Sequence, residues 1–299
     1  MKLGLIGLGK MGYNLAENIL EHGHSVVAFD VNPEPAQALA AQGAVPASSI
    51  EELVRKLDAP RIVWVMVPAG QIVDSVIDSL TTLLQPGDIV IEGGNSHYKE
   101  SIARSAKLQE SGIHLLDVGT SGGTEGAREG GCFMIGGSRT VFDQLEPLFK
   151  DISVDKGYLY AGEAGSGHFL KMVHNGIEYG MMQSIAEGFE VLSKSHYNFN
   201  YEEVARVWAN GSVIRSWLMD LTERAFSKDP KLDSIQGVMQ SSGEGRWTVE
   251  TALDLQASAP VIAMSLFMRY RSLDSDTFHG KVVAALRNEF GGHAVVANK

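Results

Sequence analysis

The sequence predicts an α/β N-terminal domain built on a doubly wound parallel sheet, followed by an all-α C-terminal domain. Two observations lead to this prediction. Short apolar runs rich in β-branched residues alternate with helical patterns through the first half of the chain, and only helical patterns follow residue 165. Alternation at this interval is typical of βαβ units, whose parallel strands are covered by helices on both faces. We therefore place the first domain at residues 1–164 and the second at 165–299.

The predicted strands of the first domain are short and apolar. In chain order they are KLGLIG, HSVVAFD, RIVWVMV, DIVIEGG, HLLDVGT and CFMIGG. Between the first five of them lie the helical patterns MGYNLAENILEHG, PAQALAAQG with SIEELVRKL, GQIVDSVIDSLTTLL, and YKESIARSAKLQESG.

The second domain opens with one unusually long helical pattern, from about Gly167 to Ser195. A helix of roughly 29 residues spans over 40 Å, the width of a small domain. We therefore expect both domains to pack against this helix and to be connected through it. Further helices are predicted around Tyr201–Trp208, Ser212–Ala225, Thr248–Ser258, Ala259–Leu273 and His279–Arg287.

Composition indicates a globular protein of the cytoplasm. Hydrophobic residues make up 44% of the 299 residues and charged residues 20%, and no apolar run approaches the ~20 residues needed to cross a bilayer. The Gly-rich start does not resemble a secretory leader. The single cysteine, Cys132, excludes an internal disulfide framework, and we expect no metal site. The net charge of −11 argues against nucleic acid and anionic membranes as partners but leaves a small anionic substrate open.

The stretch Gly7-Leu8-Gly9-Lys10-Met11-Gly12 has the pattern GxGxxG, directly after a predicted strand and at the start of a predicted helix. In this context Gly7 permits a tight turn, Gly9 lets a pyrophosphate approach the backbone, and Gly12 lets the helix pack on the strand. The helix N-terminus offers N–H groups and a positive dipole end to phosphates. We therefore predict a Rossmann-type dinucleotide site formed by residues 7–12.

Asp30 ends the second predicted strand, 18 positions after Gly12. A carboxylate there can accept hydrogen bonds from both ribose hydroxyls of NAD, and it would repel the 2′-phosphate of NADP. No Arg or Lys follows in VNPEPAQALA. We expect NAD as the cofactor, with NADP used more weakly.

Four polar residues share one face of the long predicted helix. Lys171, His174, Asn175 and Glu178 follow the spacing i, i+3, i+4, i+7 within an otherwise apolar pattern. Burying such groups without partners costs several kcal/mol, so a core would normally exclude them. Taken singly, Lys171 or Glu178 is more readily interpreted as a surface residue. A base, an acid and an amide on one face beside a nicotinamide site instead indicate an acid–base set with a positioning group.

The segment GHFLKMVHNGIEYG resembles the catalytic helix of the decarboxylating 6-phosphogluconate dehydrogenases. IEGGNSHY, VGTSGGTEGAREG and GEGRWT resemble further blocks of that family in the same order, so that the likeness covers nearly the whole chain. The chain is shorter than the family's long form, which has a second helical half, and resembles the short bacterial form. The resemblance implies oxidation of 6-phosphogluconate to ribulose 5-phosphate and CO₂ in the pentose phosphate pathway.

The resemblance also assigns roles to individual residues. Lys171 would take the proton from the C3 hydroxyl as hydride leaves for NAD⁺, and would then polarise the ketone. Glu178 would donate a proton to C1 after CO₂ is lost. Further contacts with the substrate and the cofactor are implied for His174, Asn175, Asn95, Val67 and the turn Ser121-Gly122-Gly123.

The phosphate end of the substrate requires cations. Tyr179 and Arg269 match the family's phosphate contacts, and an Arg fork can bind two phosphate oxygens. RNEFGGH resembles the segment that reaches into the partner subunit's site, which would make Arg287 and His293 ligands supplied in trans within a homodimer or a dimer of dimers. The chain departs from the long form at Ser242-Gly243-Glu244, where the long form has a Lys and a Thr.

Two other functions remain open at this point. A non-decarboxylating β-hydroxyacid dehydrogenase shares the sheet domain, the SGG turn and a Lys-Asn helix. Only a phosphorylated substrate that loses CO₂ needs Glu178, Tyr179 and Arg269 together. A non-catalytic NAD-binding regulator would keep the glycine loop and lose Lys171, and the complete acid–base set argues against it.

Overall fold

The computed structural model describes residues 1–297, and in this part of the chain it confirms the predicted fold class. The last two residues of the predicted second domain lie outside the described residues. The chain divides into two compact units, Met1–Asn175 and Gly176–Lys299. The first contains the sheet with its helices, and the second is helical.

The first unit alternates strands with helices. Its strands are β1 (Lys2–Ile6), β2 (Ser25–Phe29), β3 (Val45–Pro46), β4 (Ile62–Val65), β5 (Ile89–Glu92), β6 (His114–Ser121), β7 (Gly131–Gly137) and β8 (Ser153–Gly162). Its helices are α1 (Lys10–Glu21), α2 (Pro33–Ala40), α3 (Ile50–Arg55), α4 (Gln71–Leu83), α5 (Tyr98–Glu110), α6 (Gly123–Glu129) and α7 (Arg139–Ile152), followed by the start of α8 (Ser166–Lys194).

The described strands of residues 1–297 form one sheet of eight, in the order β3-β2-β1-β4-β5-β6-β7-β8. The order reverses direction at β1, which pairs in parallel with β2 on one side and with β4 on the other. In doubly wound sheets the helices that leave such a point diverge to opposite faces, and ligands bind in the crevice at the carboxyl ends of the strands. The fold therefore directs attention to the loops that follow β1 and β4.

Alternate residues of the central strands enter two separate cores, one on each face of the sheet. On β4, Trp64 belongs to one apolar cluster, and Val63 and Val65 belong to the other. On β5, Ile91 and Val90 divide in the same way. All of these side chains are fully buried. Burial of both faces explains why these strands appear in the sequence as continuous apolar runs.

Two features of the sheet differ from the sequence prediction. The strand β7 runs antiparallel to β6, so that the sheet is parallel-dominated rather than wholly parallel. The strand β8, which pairs in parallel with β7, has no counterpart among the predicted strands. Its sequence, SVDKGYLYAG, lies at an edge and is largely exposed, and it therefore lacks the apolar run by which a buried strand is recognised.

In the second unit, the remainder of α8 is followed by further helices. They are α9 (Tyr201–Ala209), α10 (Trp217–Lys228), α11 (Gly243–Asp254), α12 (Pro260–Ser272) and α13 (Phe278–Gly291). An apolar cluster of Phe189, Ala205, Met219 and Phe226 joins α8, α9 and α10.

Two of these helices begin at other positions than the periodicity indicated. The helix α10 starts at Trp217, because Ser216 caps it by accepting a hydrogen bond from the backbone N–H of Met219 at 3.2 Å. The helix α11 starts at Gly243, five residues earlier than predicted, which places Glu244 in its first turn. Within residues 1–297, none of the helices combines the length and the apolar character that a membrane span requires.

Candidate functional site

A cavity of about 660 Å³ lies at the carboxyl edge of the sheet, where the strand order reverses. It is formed within the first unit by the loops that follow β1, β2, β4 and β5. Its lining includes Gly7, Gly9, Lys10, Met11, Gly12, Asp30, Val67, Asn95 and Thr120. All of the predicted cofactor contacts except Leu8 therefore border one cavity.

The three glycines of the loop occupy different surroundings. Gly7 has φ +94°, and a Cβ there would lie 2.5 Å from the carbonyl oxygen of Met66. A Cβ on Gly12 would overlap the carbonyl oxygen of Gly7. A Cβ on Gly9 would meet no atom within 4 Å. Gly7 and Gly12 are thus required by the protein's own packing, whereas the bare backbone at Gly9 leaves space for a ligand.

The N-terminus of α1 fits a dinucleotide pyrophosphate. Gly9 is the N-cap residue of α1, and no side chain caps this end of the helix. The first-turn N–H groups of a helix have no partner within the helix and carry its positive dipole end. An anion in the cavity could therefore be bound by the backbone of the loop without a cationic side chain.

Asp30 lies beside the glycine loop. Its Oδ2 accepts a hydrogen bond from the backbone N–H of Leu8 at 2.6 Å, and its Oδ1 accepts one from Asn32 at 2.9 Å. These bonds hold the carboxylate at the rim of the cavity, where it can still accept bonds through its remaining lone pairs. Asn32 in turn caps α2. The local sequence thus fixes the position of Asp30 in the lining of the cavity.

Asn95 joins the loop after β5 to the end of β6. Its Oδ1 accepts the backbone N–H of Thr120 at 3.1 Å, and its Nδ2 donates to the Thr120 carbonyl at 3.4 Å. The residue has φ +53°, a conformation that Asn tolerates better than most residues. The amide is therefore engaged in holding Thr120, which also lines the cavity.

Lys171, His174 and Asn175 of the predicted stripe on α8 form a connected group in the first unit. The Nζ atom of Lys171 donates to Oδ1 of Asn175 at 2.7 Å, and Nδ1 of His174 lies 2.9 Å from the same oxygen. The other ring nitrogen, Nε2, lies 3.1 Å from Oγ of Ser121. Lys171 is buried, with 6% of its surface exposed. This group can bind hydroxyl and carboxylate oxygens and can exchange a proton through Lys171.

Ser121 ends β6, and the two glycines that follow it form the turn into α6. Gly122 has φ +113° and Gly123 has φ +59°. A Cβ on Gly122 would lie 2.9 Å from the Cα of Gly126. The predicted turn 121–123 therefore requires glycine at 122 because of its backbone conformation and its close approach to Gly126. Ser121 is the residue of this turn that contacts His174.

The predicted phosphate contacts of the second unit also form a group. The hydroxyl of Tyr179 accepts the backbone N–H of Ser242 at 2.8 Å and lies 2.9 Å from its Oγ. The guanidinium of Arg269 stacks over the Tyr179 ring at 3.7 Å from the centroid and donates to the Gln240 carbonyl at 2.6 Å. The cation and the N-terminus of α11 are thereby both held against one buried ring.

The remaining predicted residues are placed as follows. Glu178 is half-buried on α8, in the second unit. Arg287 on α13 and His293 just after it are exposed, and the backbone of His293 bonds to the side chain of Asn288 at 2.9 Å. The structure thus groups the sheet-side residues with one another and Tyr179 with Arg269.

Sequence reasoning missed two groups of buried titratable residues in the first unit. Arg104 of α5 donates to Glu92 of β5 at 2.8 Å and to the carbonyl of Gly70 at 3.3 Å. It thereby ties the loop after β4 to the end of β5. The second group is Asp117 of β6 with His168 of α8, both buried. Apolar surroundings raise the pKa of the Asp117 carboxyl, and the neighbouring His168 opposes that shift.

Comparison with known proteins identifies the family. A family model described as the NAD binding domain of 6-phosphogluconate dehydrogenase matches residues 2–162, and one described as the C-terminal domain matches residues 167–289. The Bacillus subtilis (strain 168) protein YqeC is 65% identical over 294 residues, which are 98% of this chain and 99% of that protein. The chain belongs to the 6-phosphogluconate dehydrogenase family. It is therefore an oxidoreductase of this type with an NAD(P)-binding domain.

Another relative of similar length comes from Haloferax volcanii. The NAD(+)-dependent, decarboxylating 6-phosphogluconate dehydrogenase of Haloferax volcanii is 42% identical over 297 residues, which are 99% of this chain and 98% of that protein. Two relatives that align with this chain over nearly their full length are thus named 6-phosphogluconate dehydrogenases, and both have the length of the short form.

Solved structures agree with this assignment. The 6-phosphogluconate dehydrogenase of Plasmodium falciparum has a TM-score of 0.84 and 29% identity; all of this chain is covered, and 66% of that longer chain. The 3-hydroxyisobutyrate dehydrogenase of Mycobacterium tuberculosis has a TM-score of 0.72 and 22% identity, covering 96% of this chain and 99% of that one. The second likeness shows the shared fold alone.

The open space at Gly9 leads to a prediction about cofactor binding. Gly9→Ala should leave the melting temperature nearly unchanged, because the new methyl group meets no protein atom within 4 Å. The same methyl group would stand where a pyrophosphate approaches the loop, so we expect at least a tenfold rise in the Kd for NADH, corresponding to ~1.4 kcal/mol. Fluorescence titration and thermal unfolding measure the two effects.

Gly188→Ala provides the matched control, because Gly188 of α8 also has open space around its Cα. This variant should bind NADH like the wild type. Unchanged NADH affinity in Gly9→Ala would contradict the assignment of the loop.

Proposed function

We propose that this protein oxidises and decarboxylates 6-phosphogluconate to ribulose 5-phosphate and CO₂, with NAD⁺ as the preferred hydride acceptor. The observation that carries the proposal is the contact of Lys171 with Asn175 and of His174 with Ser121, on one face of a helix in a chain of this family. We assign residues 1–164 to dinucleotide binding and 165–299 to substrate binding and dimerisation. We also propose that the reaction takes place in the cytoplasm, as expected from the sequence.

Lys171 acts as the base in this mechanism. In this mechanism the neutral amine of the buried Lys171 accepts the proton of the C3 hydroxyl. When bound, NAD⁺ accepts the hydride that leaves C3. The protonated Lys171 then donates a hydrogen bond to the new C3 ketone, which stabilises the charge that develops as CO₂ departs. Asn175, already bonded to Lys171, orients the amine.

Glu178 supplies the second proton. As CO₂ leaves, Lys171 gives its proton to the C3 oxygen, which forms an enediol. The carbon that becomes C1 of ribulose 5-phosphate must then be protonated while Lys171 takes the hydroxyl proton back. A carboxylic acid on the same helical face as Lys171 suits this step, because one group loses a proton where the other delivers one. His174 and Ser121 would bind the substrate's hydroxyl and carboxylate oxygens.

Tyr179 and Arg269 bind the phosphate in this proposal. The Arg269 guanidinium stacks on the Tyr179 ring and donates to the Gln240 carbonyl, and neither contact neutralises its charge. Ser242 and the N-terminus of α11 would supply the contacts that a Lys and a Thr make in the long form. Glu244, in the same turn, cannot bind phosphate directly and would disfavour a second anionic group there.

One assay tests the proposal as a whole. The protein is incubated with 6-phosphogluconate and NAD⁺ or NADP⁺, while NADH or NADPH absorbance and CO₂ release are followed together. Equal amounts of reduced cofactor and CO₂ are expected. Reduced cofactor without CO₂, or a preference for a non-phosphorylated 3-hydroxy acid, would favour a non-decarboxylating β-hydroxyacid dehydrogenase instead.

Substitution of the two proton-transfer residues separates their roles. Lys171→Met should abolish oxidation while 6-phosphogluconate still binds, because the phosphate contacts remain. Glu178→Ala should slow turnover by about 10²–10⁴-fold, the range of general acid–base groups. Steady-state kinetics and equilibrium binding measure these effects.

Lys194→Met is the matched control, since Lys194 is an exposed lysine of the same helix, paired with Glu190 at 2.5 Å. It should retain full activity. Near-normal turnover of Lys171→Met would place the base elsewhere.

Cofactor preference depends on Asp30 in this proposal. The wild type should show a higher kcat/KM with NAD⁺ than with NADP⁺, because the carboxylate repels a 2′-phosphate. Asp30→Ala should lower the ratio of kcat/KM with NAD⁺ to kcat/KM with NADP⁺. Adding Val31→Arg should lower this ratio further, because it places a cation at an exposed position beside the ribose site.

Asp58→Ala, which removes an exposed carboxylate paired with Lys2, should leave the ratio unchanged. Thermal unfolding of each variant separates cofactor repulsion from loss of the two backbone bonds that Asp30 accepts. Equal use of NAD⁺ and NADP⁺ by the wild type would refute the preference.

We propose in addition that the active unit is a homodimer, in which Arg287 and His293 complete the phosphate site of the partner subunit. The support is the apolar surface of α13. Phe278, Val283 and Leu286 are 81%, 55% and 57% exposed, and α12 exposes Val261, Met264 and Phe267 in the same way. Apolar surface of this extent is typical of a protein interface. A pairing of two dimers into a tetramer is compatible with this arrangement.

Subunit mixing tests the trans arrangement. Lys171→Met and Arg287→Ala are each purified, mixed and allowed to exchange subunits. If Arg287 acts in trans, each mixed dimer has one site with both residues intact, and activity should partly return, up to about one intact site per mixed dimer.

Mixing Lys171→Met with Glu178→Ala is the control. Both residues lie on α8 of one chain, so every site in the mixed dimer lacks one of them and no recovery is expected. Absence of recovery in the first mixture as well, with subunit exchange demonstrated, would show that Arg287 serves its own subunit.

A further inference from the structure

The carboxylate of Asp117 caps the helix that carries Lys171. Asp117 lies in β6 with none of its surface exposed. Its Oδ1 accepts the backbone N–H of Gly165 at 2.7 Å, and its Oδ2 accepts that of His168 at 2.9 Å. N–H groups at the start of a helix need an acceptor from outside the helix. Gly165, immediately before α8, has no side chain to provide one, and the strand supplies it instead.

Glycines bring the backbone of α8 into direct contact with the strands beneath it. A Cβ on Gly119 of β6 would overlap the Cβ of Lys171, and one on Gly167 of α8 would overlap the Asp117 carbonyl oxygen. A Cβ on Gly136 of β7 would lie 2.6 Å from Oδ1 of Asp117 and 2.7 Å from the backbone nitrogen of Gly167. Because no side chain lies between the backbone of α8 and the strands here, we expect a shift of the first turn of α8 to move Lys171 as well.

A third contact holds the same turn from the side. The ring of His168, 1% exposed, places Nδ1 at 2.7 Å from Oγ of Ser101 on α5. Burial raises the pKa of the Asp117 carboxyl, while His168 and the two N–H donors lower it. None of these residues has a role in the chemistry described above. Their common feature is that they anchor the turn that immediately precedes Lys171.

We propose that Asp117 is a positioning residue for Lys171: its carboxylate holds the first turn of α8 on β6 and so fixes the location of the lysine amine. The inference rests on the proposed function only in taking Lys171 as the base. Lys171 follows His168 by three residues, less than one helical turn, so a rigid helix transmits a displacement almost unchanged. A misplacement of ~1 Å can lower a rate by about 10²-fold.

Asp117→Asn tests this role. Asn keeps the size of the side chain but turns an NH₂ group toward one of the two N–H donors, which weakens the cap. We expect kcat to fall about 10- to 10²-fold with little change in the Kd for NADH. We also expect a larger deuterium isotope effect on kcat with substrate deuterated at C3, because the misplaced base makes hydride transfer more rate-limiting.

Asp88→Asn is the matched control. Asp88, directly before β5, is 1% exposed and accepts backbone N–H groups of Arg61 at 2.7 Å and Gln85 at 2.8 Å, together with a bond from the Arg61 guanidinium at 3.0 Å. It lies at the amino end of β5, on the opposite edge from the cavity. Its substitution should lower the melting temperature while kcat and the isotope effect stay at wild-type values. Equal losses of kcat in the two variants, or an unchanged isotope effect in Asp117→Asn, would overturn the proposal.

Gly136→Ala replaces Asp117→Asn if the latter does not fold. The new methyl group would crowd both partners of the cap, because it would lie 2.6 Å from Oδ1 of Asp117 and 2.7 Å from the backbone nitrogen of Gly167. The same fall in kcat and rise in the isotope effect are expected, and wild-type kinetics in this variant would count against the proposal.

Two measurements without turnover distinguish this inference from the proposed function. They are hydrogen exchange of the amides of residues 167–170 and the rate of reductive methylation of Lys171, mapped by peptide mass spectrometry. Both should rise in Asp117→Asn and not in Asp88→Asn. If the wild type fails to decarboxylate 6-phosphogluconate, the proposed function is wrong, and these rates still decide whether Asp117 positions the lysine. Unchanged rates would overturn the positioning role.

Discussion

The reversal of strand order at β1 is the constraint on which the sheet-side site depends. Since β1 lies between β2 and β4, the connections that leave it diverge and open a crevice at the carboxyl edge. The glycine loop, Asp30 and Val67 each follow a strand that borders this crevice. Their proximity is therefore set by topology, and each side chain needs only to suit the position it is given. The glycine loop is the clearest case, because Gly7 and Gly12 serve the packing while Gly9 leaves space.

The antiparallel pairing of β6 with β7 has a second consequence for the site. It brings Gly136 opposite Asp117 and Gly137 opposite Leu116, so that small residues lie beside the carboxylate. The start of α8 can then approach the backbone of both strands. Strand direction, glycine placement and a buried acid thus act together at the place where the sheet meets the helix of Lys171.

The sequence predicted those parts of the site whose residues lie close to one another in the chain. The glycine loop and Asp30 lie within one strand–loop–helix unit, and Lys171, His174 and Asn175 share a face because of helical spacing alone. The contact of His174 with Ser121 needed the fold, since 53 residues separate the two. Asp117 was not predicted, because its partners lie 48 and 51 positions away. Arg104 was not predicted either, because its buried partner Glu92 lies on a different element. Edge strand β8 was missed because its exposed residues carry no apolar pattern.

The cap on α8 also restricts which members of the family can be combined into a chimera that takes its N-terminal segment from one parent and its C-terminal segment from another. The matches to the family fall into two segments, residues 2–162 and 167–289, which suggests a natural crossover point in the loop between them. The acceptor of the cap lies in the first segment and one of its donors, His168, lies in the second. A chimera joined there inherits the carboxylate from one parent and the helix start from the other. Recombination between relatives should therefore succeed where both parents share this pairing, and a helical half expressed alone would begin with an uncapped, fraying turn.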